Sequence, residues 1–268
     1  MINLTNADFL QNAVNNAYGQ LSQPLQSLAT GSKVSGPSEN PSDYFLAQSL
    51  LTQINGTHQA ETNVQEGTDM GQTASGGMSN ALGALQTMNS LAVQSGDGTL
   101  TSSDRNNINM EFQQMGAAVS DIAQNTEFNG TQLLNGSASS VNIQSGSGAG
   151  NKVSVPTGNI TPGNLSLSGA STVTQAQSES AISTVQNAMQ QVSSQQASAG
   201  AAQAGLSSAA ANLANSAVNT ASALSQVSDA DFASELTSAA SAKVKLQASI
   251  YALSTANKEK GQILNLLA

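Results

Sequence analysis

Few residues in this chain have the types and spacing that catalysis or metal binding needs. His58 is the sole histidine, and cysteine is absent. A metal centre needs several ligands at fixed spacing, and no His-Glu-x-x-His segment occurs. His58 therefore reads as a structural residue on a helix. Asp229, Asp231 and Glu235 lie close together near the C-terminus. Carboxylates in a cluster suit a hard cation. They also suit a helix start, with Asp229 accepting from free backbone N–H groups and the other two complementing the helix dipole. The second reading explains their order better. Gly146-Ser147-Gly148-Ala149-Gly150 has the glycines of a phosphate loop but no Lys-Ser/Thr ending and no following helix, so it reads as a turn. Met70, Met78, Met88, Met110, Met115 and Met189 sit mostly at core spacing and read as packing residues. No catalytic residue, metal or cofactor is expected, and an enzyme is the least favoured class.

Composition points the same way. Apolar residues make up 38% of the 268 residues, much of that alanine, and aromatics 3% with no Trp. Wide cores are filled by Leu, Ile, Val and Phe, so this chain suits thin layers of close-packed helices. Charged residues are 9%, against a usual share of about a quarter. A mostly uncharged polar surface suits packing against copies of itself, because fewer charges need desolvating. The net charge is −9 and no basic patch with interleaved aromatics exists, which argues against nucleic-acid binding. Absence of cysteine rules out disulfides and thiol chemistry. The first basic residue is Lys33, and no continuous apolar run opens the chain. Neither a secretory signal peptide nor membrane insertion is expected; export would use another route.

The elements are legible from apolar spacing. Leu10, Val14, Ala17, Leu21, Leu25 and Leu28 place a stripe on a helix over residues 3–30, capped by Asn3 or Thr5. Pro24 predicts a kink or break near 20–24. Residues 31–41 are a connector. A long helix follows over 42–95, capped by Ser42, with Leu46, Leu50, Ile54, Ala60 and Val64 leading into a coiled-coil repeat from Ala74 to Ala92. Uninterrupted, it would span ~80 Å. Gly67, Gly71, Gly76, Gly77 and Gly83 either break it near 67–77 or let neighbours approach closely. Ser102 or Ser103 caps a helix over 103–124, and Asn129-Gly130 marks a turn. Residues 131–170 form a small β-region, with two or three short strands among 141–143, 152–155 and 165–167. A long helix begins near Thr174, with possible bends at Gly200 and Gly205. The last helix, 229–268, carries Phe232, Leu236, Ala239, Leu246, Ile250, Leu253, Leu264 and Leu267. The fold class is mainly α, with long antiparallel helices and a small β-hairpin region. The two terminal stripes are expected to pair, with each other or with neighbouring copies.

Several segments, in this order and spacing, resemble the bacterial flagellins. They are Met1-Ile2-Asn3-Leu4-Thr5-Asn6, Leu28-Ala29-Thr30-Gly31, Asn40-Pro41-Ser42-Asp43-Tyr44, Leu91-Ala92-Val93-Gln94, Thr126-Glu127-Phe128-Asn129-Gly130, Asp229-Ala230-Asp231-Phe232-Ala233 and Leu264-Asn265-Leu266-Leu267. The resemblance runs nearly end to end. It implies an inner coiled-coil domain built from residues 1–41 and 229–268, and a rod-like domain from 42–228. It implies a secreted, extracellular filament subunit, with a hook–filament junction protein or a surface adhesin as alternatives. An export chaperone, the export apparatus, and filament cap and junction proteins are the partners it implies besides further copies. The strand region runs straight into the return helix, so a minimal form without large outer domains is expected. Ser32-Lys33 and Ser225-Gln226 stand where the family usually carries arginine, so inter-subunit ion pairs that the resemblance implies are expected to be missing. Many flagellins are recognised by a vertebrate Toll-like receptor. Leu85, Gln86, Leu91 and Glu111 match that motif, whereas Thr87 and Asn89 replace its two arginines. Weak or absent activation is expected, since arginine is a typical interface anchor.

Overall fold

The computed structural model describes the backbone of residues 2–267 and the side chains of residues 8–262. Among the described residues, five helices and two hairpins follow in the order α1 (Ile2–Thr30), α2 (Pro41–Ser95), α3 (Ser102–Asn125), β1 (Glu127–Phe128), β2 (Thr131–Gln132), β3 (Ser140–Gln144), β4 (Lys152–Pro156), α4 (Gln175–Ser228) and α5 (Phe232–Leu267). The chain divides into two compact units. One comprises residues 1–54 and 218–268, the other residues 55–217.

In the first unit α1 packs against α5. Val14, Ala17 and Leu246 form its buried centre, with Leu21 and Leu253 packed against them. The pairing is antiparallel, because the end of α1 meets the start of α5 at the Ser32–Asp229 bridge. Pro24 lies inside α1 without breaking it, so of the expected kink or break the break does not occur. One missing N–H leaves one carbonyl unbonded at an exposed face, and helix packing on both sides of it holds the rest. Backbone helicity already runs through Asn3 and Thr5, so neither occupies a cap position.

The second unit holds a continuous apolar core from Ala60 to Leu213. Its fully buried residues include Met78, Leu85 and Met88 of α2, Phe112 and Val119 of α3, and Val185 and Leu206 of α4. The glycines do not break α2; close approach is the role of Gly67, Gly71 and Gly77, whereas nothing lies within 4 Å of a Cβ at Gly76 or Gly83. A Cβ at Gly67 would sit 2.7 Å from Ile143 Cγ1, and one at Gly77 would sit 2.6 Å from Thr126 Oγ1. The hairpin region thus lies directly on the helix backbone. Gly200 and Gly205 likewise leave α4 unbroken.

β3 and β4 pair antiparallel from Ser140–Pro156 to Gln144–Lys152, as their alternation predicts. The expected third strand at 165–167 is a turn. Ser166 has φ of 57°, and Leu167 N donates to Pro162 O at 2.8 Å. Its two leucines are buried all the same, so turn geometry satisfies a pattern that mimics strand alternation. A short hairpin that the pattern did not reveal, β1–β2, flanks Asn129-Gly130. Both turn residues have positive φ, 48° and 74°, which is the two-residue turn that Asn-Gly favours.

Candidate assembly interface

The terminal helices are positioned by their ends. Gly31 closes α1 with φ of 72°, its N–H donating to Ser27 O at 2.8 Å. Glycine adopts that conformation most readily, because it has no Cβ to clash. Lys33 N then donates to Ser228 O at 2.8 Å, and Ala230 N donates to Gly31 O at 3.0 Å. Ser32 Oγ adds a bond to Ser228 O at 3.0 Å, and Lys33 Nζ donates to Gln226 O at 3.3 Å. Ser32-Lys33 thus meets the end of α4, through backbone bonds at Ser228 and through the Lys33 side chain at Gln226. Asp231 is the cap of α5, its Oδ1 accepting from Ala233 N at 3.0 Å and Ser234 N at 3.2 Å. The expected cap, Asp229, instead accepts from Ser225 Oγ at 2.6 Å across the end of α4. This stitching fixes where α1 and α5 begin to run side by side.

The apolar stripes then fall into two groups. Val14 and Leu246 are buried in the α1–α5 seam, with Leu21 and Leu253 beside them. Leu10 and Leu28 are half-buried. Leu25, Phe232, Leu236 and Ile250 are exposed, Phe232 at 66%. Leu264 and Leu267 lie outside the residues whose side chains are described. Sequence reasoning missed a further set. Phe9 is 71% exposed and Tyr251 76%, and Tyr18 and Val244 are exposed with them. Spacing could have shown them. Tyr18 and Leu25 stand seven residues apart on one face of α1, as Val244 and Tyr251 do on α5. One helix pair thus has an apolar seam and more apolar surface on its outside.

The receptor-like segment is placed otherwise. Leu85 is fully buried in the core of the second unit, and Leu91 is 7% exposed. Gln86 and Glu111 are exposed. Coiled-coil spacing turns Leu85 inward, so in the folded chain it has no surface to offer a receptor; of the four matches, Gln86 and Glu111 remain outward. His58 is exposed on α2, its Nδ1 3.2 Å from Glu61 Oε2 one turn on. Among the described residues no group of three His, Cys, Asp or Glu is placed to hold a metal ion.

Residues 3–139 match the family described as the bacterial flagellin N-terminal helical region, and residues 182–267 match the bacterial flagellin C-terminal helical region. The chain belongs to the bacterial flagellin family. Between the two matched regions of this flagellin lie β3, β4, the turns that follow and the first residues of α4, so it lacks large outer domains. It is 31% identical over 143 residues to Flagellin A of Vibrio anguillarum, covering 53% of this chain and 38% of that relative. It is 30% identical over 161 residues to Flagellin B of Vibrio cholerae, covering 60% and 43%. The matched stretch is thus less than half the length of these relatives. The crystal structure of Bacillus cereus flagellin superposes with a TM-score of 0.52 at 22% identity, over 57% of this chain and 88% of that one. A Vibrio parahaemolyticus protein assigned to the flagellar hook-associated class superposes at 0.60 with 12% identity, over 71% and 100%. At such identities the two structures speak to the fold, and the fold is shared by both classes.

Proposed function

We propose that this flagellin is a non-enzymatic structural subunit of the bacterial flagellar filament, exported unfolded and self-assembling into a helical tube for swimming motility. The observation that carries the reading is the outward apolar surface of the α1–α5 pair, from Phe9 to Tyr251. Burying a large apolar side chain contributes roughly 1.5–3 kcal/mol, so several such groups favour association strongly. The same sequence that leaves them outside builds an antiparallel pair from the two chain ends. Neighbouring copies supply the surface that one copy lacks, and ordering is coupled to assembly. Contacts between unlike faces that do not close on themselves generate a helical array. The inner coiled-coil and outer rod-like roles of the terminal and central segments belong to this proposal, as do secretion, the export chaperone and apparatus, and the cap and junction partners. No helix among the described residues is long and apolar enough to cross a membrane.

Electron microscopy of purified protein after seeding or salting-out tests the reading. Long uniform tubes with a smooth surface are expected. A chain truncated before Asp229 should stay soluble and unpolymerised while the second unit remains folded. Filaments from that truncation, or persistent full-length monomers despite seeds, would overturn the proposal. Copy number on cells separates a filament subunit from a junction ring. For the receptor, a cell reporter assay should show weak or no activation, since Thr87 and Asn89 replace the arginines and Leu85 is buried. Full activation at nanomolar dose would contradict it.

A further inference from the structure

Three Asn-Gly pairs occur in the chain: Asn55-Gly56, Asn129-Gly130 and Asn135-Gly136. The pair has a chemistry of its own. The glycine backbone nitrogen, unhindered by a Cβ on its residue, attacks the asparagine side-chain carbonyl carbon. The new N–Cγ bond closes a five-membered succinimide, and the side-chain nitrogen leaves as ammonia with the displaced proton. Water then opens the ring on either side. Opening at Cγ gives aspartate; opening at the main-chain carbonyl gives isoaspartate, in which the backbone runs through the side chain.

The fold treats the three pairs differently. Asn55 and Gly56 lie within α2, where the backbone is held in the helical ladder. Asn135 is tethered at both side-chain atoms: Nδ2 donates to Gln132 Oε1, and Oδ1 accepts from Ser137 N at 2.9 Å. Its would-be nucleophile is also engaged, because Gly136 N donates to Gly158 O at 3.2 Å. Asn129 and Gly130 are exposed at the tip of the β1–β2 hairpin. Neither the Asn129 side chain nor the Gly130 N–H has a hydrogen-bond partner among the described residues. No atom lies within 4 Å of where a Gly130 Cβ would stand, so the tip has room to move.

We propose that Asn129 is a site of spontaneous covalent modification in the folded chain, converting to aspartate and isoaspartate ahead of Asn55 and Asn135. Ring closure requires Asn129 to leave its left-handed conformation, so the two-residue turn must open first. The expected order of rates is therefore the unfolded chain, then Asn129 in the folded chain, then Asn135 and Asn55. The product does not fit the hairpin. Aspartate adds a negative charge two residues from Glu127, and isoaspartate inserts an extra backbone carbon into a turn whose register, Phe128 opposite Thr131, leaves no slack. Phe128 packs against the core, and Leu133 and Leu134 just beyond are fully buried.

The test uses the purified full-length chain, aged in mildly alkaline buffer and sampled over time. Peptide mapping by mass spectrometry follows the three Asn-Gly peptides, each conversion adding one mass unit and splitting the peptide into two chromatographic forms. The Asn129 peptide should convert several-fold faster than the other two, and the three should converge in denaturant. Conversion of Asn135 or Asn55 at the same rate as Asn129 in the folded chain would overturn the proposal. So would equal Asn129 rates with and without denaturant, because the turn would then exert no control.

Discussion

Thr101 and Asp104 start α3 by capping each other. Asp104 N donates to Thr101 Oγ1 at 3.3 Å, and Asp104 Oδ2 accepts from Thr101 N at 3.0 Å. Two orphan donors of the first turn are thereby satisfied. Replacing Thr101 by Ala should lower stability by about 1 kcal/mol, read as a fall in thermal midpoint. Thr101 Oγ1 also donates to Asp104 Oδ2 at 2.6 Å, and this bond first, then the one from the Thr101 N–H, holds the Asp104 carboxyl below its ordinary value. Asp97 is lowered too, mainly by the Thr99 N–H and hydroxyl and less by Arg105. A carboxyl lowered by folding contributes stability above its unfolded value and loses it as pH falls through the folded value. The melting temperatures of the native chain and of Asp104→Asn should therefore converge in acid below about pH 4, and differ at neutral pH. Caps were legible in kind but not in place. Asn40, not Ser42, caps α2, accepting from Ser42 N and Asp43 N at 3.2 Å each. Thr101 and Asp231 displace Ser102 or Ser103 and Asp229 in the same way. Neighbouring residues all carry cap-competent side chains, so type alone does not choose. Pro41 at the first helical position and the Thr101-x-x-Asp104 spacing were the signals that could have chosen.

The glycines of α2 look alike in sequence and differ in the fold. Gly77 is buried, and an added Cβ would stand 2.7 Å from Leu134 Cδ1. Gly83 is exposed with nothing within 4 Å. Gly83→Ala should therefore stabilise the chain by up to about 1 kcal/mol through helix propensity. Gly77→Ala should destabilise it by about 1–3 kcal/mol through overpacking, even after the same propensity gain. Denaturant melts of the two variants would show opposite shifts of the midpoint; shifts of one sign would mean that propensity, not contact, decides. The reason is legible only in three dimensions. Periodicity announced that α2 has an inward face, but not that a hairpin from 131–160 would lie on its backbone. The helices themselves were readable because their apolar steps extend over many turns. The β1–β2 hairpin was not, because two-residue strands carry no alternation to read. Pro24 follows the same lesson: a local breaker loses to the packing on both sides of it. Pro24→Ala should raise the thermal stability of the α1–α5 pair, by up to about 3 kcal/mol, while leaving its helical content nearly unchanged.

At the scale of the whole molecule, charge is unevenly spread. Residues 55–217 hold nine acidic residues against Arg105 and Lys152, whereas α5 holds four lysines against Glu235 and Glu259. In the proposed filament, copies that packed side by side through their second units would bring like charges together, and few cations within those units would offset them. Under the proposed function, apolar contacts from the α1–α5 pair would have to overcome that repulsion for assembly to proceed. Exposed charges more than about 10 Å apart are largely screened at 0.1 M salt, whereas burial of Phe9, Phe232 or Tyr251 is insensitive to such screening. Rising salt should thus weaken the opposing term and leave the favouring one in place. The protein concentration at which filaments first form should fall as sodium chloride is raised from low to physiological strength, and sulfate should lower it further by strengthening apolar burial. Sedimentation of assembled protein at a series of concentrations measures this directly. A threshold that rises with salt would mean that lysines of α5 reach acidic groups of a neighbouring copy, so that attraction between unlike charges, and not apolar burial, holds the copies together.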